Sequence, residues 1–204
     1  MKDEKKTKVQ LIQELDEMRQ QVNRTQMRLL QKEIEYLTTT DPITGAYSRR
    51  YLLELAEKEF YRFRRYSSPL AIAMIGIDDF QRVNDARGQA VGNLILRESA
   101  AICRAQLRPY DIVGRTNGEV FAIILVQCDL PKAIIVAERI RKHVEQYVLI
   151  TDDGEVPFTI SVGIAQITDK AESVESVMNR AEQALDRAKS NGGNRSETAP
   201  EGVV

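Results

Sequence analysis

Apolar residues recur along the first forty positions in alternating steps of four and three: Leu11, Leu15, Met18, Val22 and Leu29, with Thr25 and Tyr36 in phase. That spacing is the seam of a heptad repeat, which lays one apolar stripe along a helix for a second helix to cover. The same stretch holds no glycine or proline and is rich in Lys, Glu, Gln and Arg. A helix this polar gains little by standing alone, so the pattern predicts pairing with a second copy over roughly four heptads. A second stripe, Met27, Leu30, Ile34 and Leu37, offers an alternative in which the helix folds back on its own domain. The expectation is an N-terminal coiled-coil or signalling helix over residues 1–40.

The pattern then changes. Thr38-Thr39-Thr40-Asp41-Pro42 reads as a break, with Asp41 or a neighbouring Thr placed to cap a following helix. Helical periodicity returns at 53–63, 90–107, 131–144 and 174–189. Continuous or alternating apolar runs at 70–77, 111–116, 120–126 and 158–165 read as strands. Asn117-Gly118 joins two of them and is a strong hairpin signal, because both residues tolerate positive φ. Helices and strands interleave around one clear hairpin. The expectation is an α/β layer sandwich with a mixed or antiparallel sheet over residues 41–195 and a loose polar tail at 196–204.

Charge and cysteine narrow the function classes. The 29 basic and 30 acidic residues of this 204-residue chain leave a net charge of −1. That balance gives no broad attraction to nucleic acid or to an anionic membrane. No apolar run is long enough to span a bilayer, and Met1-Lys-Asp-Glu-Lys-Lys lacks the apolar core of a secretory signal. Cys103 and Cys128 lack metal-ligand spacing and read as buried free thiols. These features point to a cytoplasmic protein.

Five motifs in fixed order then carry a resemblance. They are Asp41-Pro-Ile-Thr-Gly45-Ala-Tyr-Ser-Arg49-Arg50, then Gly76-Ile77-Asp78-Asp79-Phe80-Gln81-Arg-Val-Asn84-Asp85 with Gly88 and Gly92-Asn93. Arg108-Pro-Tyr-Asp111 follows, leading into Asn117-Gly118-Glu119-Val120-Phe121. Ser161-Val-Gly163-Ile-Ala165 and Ala184-Leu185 with Ala188-Lys189 and Gly192-Gly-Asn194 complete the series. Over about residues 40 to 195 the chain resembles the GGDEF family of diguanylate cyclases, which join two GTP into cyclic di-GMP. The resemblance implies a palm-like α/β domain related to the class III nucleotidyl cyclases, commonly brought into dimers by an upstream module.

The resemblance also implies where each site should lie. The family signature Gly-Gly-Asp/Glu-Glu-Phe reads Asn117-Gly118-Glu119-Val120-Phe121 here. Family metal ligands are the Asp ending the first long strand, the next residue's carbonyl, and the third signature position. They correspond to Gly76, Ile77 and Glu119, and the family's fourth-position Glu corresponds to Val120. Two of three carboxylates are therefore missing. Magnesium needs hard oxygen ligands, and neither glycine nor valine supplies one. Asp78 and Asp79 do not obviously substitute, because alternate strand residues face opposite sides.

In the remnant nucleotide pocket, Asn84 matches the family's guanine-reading residue, and Asn93 stands where an Asp accepts from guanine. An amide there offers one acceptor and one misplaced donor, a loss of about 1–3 kcal/mol. Gly118 and Lys189 complete this remnant. Gly193 replaces a phosphate-contacting arginine, and Gln81 and Gln89 replace a Lys and a His. The product-binding motif fares better. Arg108 and Asp111 keep the family's RxxD at the usual gap, and Arg139 takes the place of the second clamping arginine. A guanidinium forks onto phosphate or guanine and stacks on purines.

Three functions follow as expectations. The first is a catalytically inactive cyclic di-GMP receptor, dimeric through its N-terminal helix and acting on a protein partner. The second is an interaction scaffold without ligand. The third is an active cyclase with an altered Mg²⁺ site; no cofactor is expected otherwise. Arg115 matches a frequent family arginine or is a solvated strand residue. His143, the only histidine, reads as solvated. Asp152-Asp153-Gly154-Glu155 falls short of a calcium loop and reads as a hairpin turn.

Overall fold

In the computed structural model, residues 8–200 are described. The chain divides into two compact units, the first ending at Thr38 and the second starting at Thr39. The first is one helix, α1 (Lys8–Thr39), 32 residues long. Its length follows from an unbroken run of good helix formers with no Gly or Pro to stop it. Leu15, Met18, Val22 and Leu29 of the heptad stripe are exposed, and so are Met27, Leu30, Ile34 and Leu37 of the second stripe. Helix continues through Thr38, whose hydroxyl donates back to the Ile34 carbonyl at 2.8 Å, so the break begins later than the Thr run suggests. The side chain of Leu11 and residues 1–7 and 201–204 lie outside the described residues.

The second unit runs α2 (Arg49–Tyr66), β1 (Leu70–Ile77), α3 (Phe80–Arg87), α4 (Gln89–Gln106), β2 (Ile112–Asn117), β3 (Val120–Val126), α5 (Leu130–Glu145), β4 (Val148–Thr151), β5 (Gly154–Pro157), β6 (Ile160–Gln166), α6 (Val174–Ser190) and β7 (Ser196–Thr198). Ser48, Asp129 and Ser173 cap α2, α5 and α6, each side chain accepting a backbone N–H from the first turn. Asp41 is therefore not a helix cap. It lies eight residues before the start of α2 and binds its own turn instead.

Strand order is β2-β3-β1-β6-β7, with β4 and β5 forming a separate hairpin. The neighbours of β1 are both antiparallel, and β6 pairs with β7 in parallel, so the sheet is mixed. Every residue of β1 is buried, because helices cover both faces. Ala71, Ala73, Ile75 and Ile77 enter one core with α4 and α5; Leu70, Ile72 and Met74 enter the other with α2 and α6. This is the period-two alternation of a strand buried on both sides.

Two departures from the sequence reading have physical reasons. Helix α3 has no fully buried residue, so it leaves only a weak apolar period to detect; Gly88, at φ 81°, separates it from α4. Ser196–Thr198 is not a loose tail but strand β7, registered on Val162, Gly163 and Ile164. Backbone hydrogen bonds to a sheet edge hold it, and polar side chains give no sign of that.

Glycine matters most at Gly163. A Cβ there would stand 2.1 Å from both the Ala181 carbonyl oxygen and the Leu185 nitrogen, so α6 lies backbone-to-backbone on β6. Gly163→Ala should cost about 1–3 kcal/mol or more by overpacking, read as a lower denaturant midpoint with an unchanged slope.

Candidate functional site

The end of β1 builds the first candidate site. Gly76 shares the sheet face of α6, and a Cβ on it would lie 2.7 Å from Cε and 2.9 Å from Nζ of Lys189. The Lys189 side chain thus fills the space that a longer residue at 76 would occupy. Its ammonium pairs with Glu119 Oε1 at 3.3 Å, and both side chains are about one-third exposed, at 33% and 34%. Val120 stands opposite Gly76 in the β1–β3 ladder and packs on the α2–α6 core. Ile77 buries its side chain in the other core, and its backbone N–H faces the Glu119 carbonyl at 3.4 Å.

Asp78 follows Gly76 on the same face, yet it is committed elsewhere. Its carboxylate accepts from Thr159 Oγ1 and Ser161 Oγ, both at 2.7 Å, and from the Asn194 N–H at 2.9 Å. It therefore fastens the loop after α6 to β6. Arg141 and Glu145 hold the same loop through the Asn194 amide, at 2.7 and 2.6 Å. Gly193 sits in this loop at φ 70°, where a Cβ would press on the Asp78 carboxylate at 3.2 Å. Asp79 starts α3 in a left-handed conformation, φ 51°, and makes no cap with its side chain. Among the described residues no three His, Cys, Asp or Glu side chains converge as a metal cluster. One carboxylate, already paired with an ammonium, does not fit a divalent cation.

The resemblance assigns a base pocket to Asn84 and Asn93. Asn84, on α3, packs on Gly92, on α4, and a Cβ at 92 would collide with Asn84 Oδ1. That oxygen is buried without a hydrogen-bond partner, and Asn93, next to Gly92 in sequence, is half-buried. Gly118 makes its turn at φ 45° with open space around it. Its carbonyl accepts from Arg115 Nε and Nη2 at 2.8 and 2.6 Å. Arg115 also reaches both Asp41 oxygens at 3.2 and 3.3 Å. Its side chain is only 14% exposed, and it ties the signature turn to the 41–47 loop.

The second site lies at the Arg108–Asp111 turn, where Arg108, Asp111 and Arg139 line one cavity of about 230 Å³ with Lys132 and Cys128. Asp111 fixes the turn, because its carboxylate accepts the Arg108 N–H at 3.0 Å and the Val126 N–H at 3.2 Å. A carboxylate has about four lone-pair sites, so acceptor capacity remains. Arg108 rests on Tyr110, with Nη1 3.1 Å from the hydroxyl and the guanidinium carbon 5.9 Å from the ring centre. Arg139 donates to the Gln106 carbonyl. Both arginines are exposed and hold neutral partners that an anion readily replaces. Burial, helped by the Asp111 and Asp129 carboxylates, pushes the Cys128 thiol up, so it enters the cavity neutral. Cys103, wholly buried in α4, is pushed up to about 12. Lys132 and Cys128 were missed in the sequence. Their signal is positional: Lys132 lies seven residues before Arg139, two turns along one helix face. His143 is exposed and meets only the Arg139 carbonyl, at 2.8 Å, and Asp152 and Asp153 form the β4–β5 turn.

A five-stranded mixed sheet with helices on both faces and an RxxD turn beside the hairpin defines a cyclase-like α/β domain. The description "Diguanylate cyclase, GGDEF domain" matches residues 38–195, and the chain belongs to the GGDEF family. Diguanylate cyclase A of Treponema denticola is 36% identical over 162 residues, 78% of this chain and 44% of that protein. Among solved structures, diguanylate cyclase SiaD of Pseudomonas aeruginosa, in complex with its activator SiaC, is 32% identical with a TM-score of 0.78. The match covers 93% of this chain and 73% of that one. The coiled coil and GGDEF domain of DgcB from Caulobacter crescentus, in complex with c-di-GMP, has a TM-score of 0.82 at 26% identity, covering 93% and 99%. The chain spans less than half the length of the curated relative it matches. No helix among the described residues is long and apolar enough to cross a membrane.

Asp41 supplies a pH test of the loop between the two sites. Burial raises its pKa, but hydrogen bonds from Thr44 and the Arg115 charge outweigh that and leave it below its ordinary 3.8. A lowered folded pKa stabilises fully above the unfolded value and is lost as pH falls through the folded one. Asp41→Asn, which strips a charged acceptor of its bonds, should cost about 1–3 kcal/mol at neutral pH. Its stability should converge with that of the wild type in acid below 3.8; denaturant melts across pH give the comparison.

Proposed function

We propose that this chain is a receptor for cyclic di-GMP that does not itself turn over GTP. One observation carries the reading. The Arg108, Asp111 and Arg139 side chains share a cavity, while the cleft at β1 has Gly76 and Val120 where the family resemblance calls for carboxylates. The chemistry suits the ligand. Two guanidinium groups offer forked donors to phosphate and guanine, and Asp111 offers acceptors to the guanine N–H edge. At the other cleft, phosphoryl transfer relies on divalent metal to offset developing charge. The cyclases of the family ordinarily use Mg²⁺, and here Lys189 stands beside the lone Glu119. No metal step is assigned to it.

The remaining roles are part of the same reading. The helix through residue 40, with its exposed apolar stripe, dimerises the chain and meets a protein partner; SiaD is itself in complex with its activator SiaC. The GGDEF domain over 41–195 carries the ligand, and the protein acts in the cytoplasm. An active cyclase remains the second reading, supported by the retained Glu119, the orphaned Asn84 oxygen and the relatives' names.

Calorimetry should find micromolar or tighter binding of cyclic di-GMP, weakened about 10- to 100-fold by Arg108→Ala through lost charged hydrogen bonds. Absence of heat with the wild type ends the receptor reading. Incubation with GTP and Mg²⁺ or Mn²⁺ should give no cyclic di-GMP by chromatography. Product that disappears in Glu119→Ala would establish the cyclase instead. The combined change Gly76→Asp, Val120→Glu and Asn93→Asp should restore measurable product.

A further inference from the structure

We infer that the Arg108–Asp111 turn is a two-sided ligand site, with a second subsite for a purine nucleotide on the flank formed by Tyr47 and Arg104. This rests on the receptor reading above, and it concerns where the other half of the cyclic dinucleotide goes.

The cavity that holds Arg139 is small. Its 230 Å³ falls below the roughly 300–1,000 Å³ of clefts that bury most of a drug-sized ligand. A cavity of about 400 Å³ lies on the other flank of the same turn, where Tyr47, Arg104, Arg108, Pro109 and Asp111 line it. Arg108 and Asp111 belong to both, so the two abut at that turn. One is walled by α5, the other by the 45–47 loop and the end of α4.

The second cavity has the chemistry of a nucleotide site. Tyr47 is 37% exposed, and its ring is braced edge-on by Tyr51, with centroids 5.1 Å apart. Pro109 adds a flat apolar surface. Arg104 gives one donor to the Thr44 carbonyl at 2.7 Å, from a group that carries five. An aromatic face beside guanidinium groups takes a stacked base and its phosphate.

Its walls are already set. Asp41 binds Thr44 at both the N–H, 2.9 Å, and the hydroxyl, 2.7 Å. Arg97 holds the Ile43 carbonyl at 3.0 Å. The Tyr47 backbone joins β2 through Val113 at 3.1 Å and Arg115 at 2.8 Å. On the opposite side Asp111 pins the turn. A base entering here meets fixed surfaces, which lowers the ordering cost of binding.

Calorimetric titration of the full chain with cyclic di-GMP tests this on the wild type, Tyr47→Ala, Tyr47→Phe and Arg139→Ala. Loss of one stacked base in Tyr47→Ala should weaken binding about ten-fold, and Tyr47→Phe, which keeps the ring, should bind as the wild type does. Should Tyr47→Ala melt below the assay temperature, Tyr47→Leu takes its place with the same expectation. Weakening by Arg139→Ala while Tyr47→Ala titrates as wild type would overturn the second subsite and leave the receptor reading intact. If the wild type gives no heat, the receptor reading fails, and GMP then probes the flank alone. Saturable GMP binding lost in Tyr47→Ala keeps the subsite; absence of GMP binding removes it.

Discussion

Close approach of α6 to the central sheet governs much of this molecule, because it is possible only where side chains are missing. Gly163 lets the helix backbone settle on β6, and at the far end of the same face Gly76 leaves room for Lys189. Packing and site chemistry are thereby joined. A residue with a side chain at 76 must move Lys189, and moving Lys189 releases Glu119. Lys189 is flexible at its far end, so restoring a carboxylate at 76 is sterically cheap. Gly163 is different, since backbone lies on both sides of the contact and neither yields.

Polar side chains do comparable work around the edges of the sheet. Asp78 gathers two hydroxyls and a backbone N–H to hold the 192–194 loop. Arg115 spans Asp41 and the Gly118 carbonyl, so the signature turn is tied to the 41–47 loop. Asp111 locks the turn that carries Arg108. In each case one carboxylate or guanidinium makes several hydrogen bonds, at least one of them to the backbone, and such charge-assisted bonds are the stronger kind. Each loop is thereby tied to the sheet or to a neighbouring loop, and loops positioned on a scaffold are where binding residues commonly sit.

The two candidate sites hold their charges differently. At the β1 cleft Lys189 and Glu119 pair with each other, and Asn84 packs on Gly92. The Arg108–Asp111 turn keeps its guanidinium groups exposed and engaged with neutral partners. A protein arranged so is suited to read a nucleotide at one place while the other serves as architecture, and the proposed receptor role rests on that contrast.

Much of this was legible in the chain. The β1 run, the Asn117-Gly118 turn, the four amphipathic helices of the domain and the long polar helix before it all follow from local periodicity and turn chemistry. The resemblance also grouped Arg108, Asp111 and Arg139, and all three line one cavity. Other features were closed to it. Helix α3 has no fully buried residue, so only a weak period marks it, and β7 is held by backbone bonds that polar side chains do not announce. The link of Arg115 to Asp41 spans 74 residues, and Asp78 reaches Asn194 across 116; no local pattern encodes such distances. Sequence determined which residues are available and which faces they present, because side-chain chemistry and backbone preference act over a few neighbours. Only tertiary structure decided that Lys189 fills the gap at Gly76 and that two cavities meet at Arg108, because those outcomes depend on how closely distant segments pack.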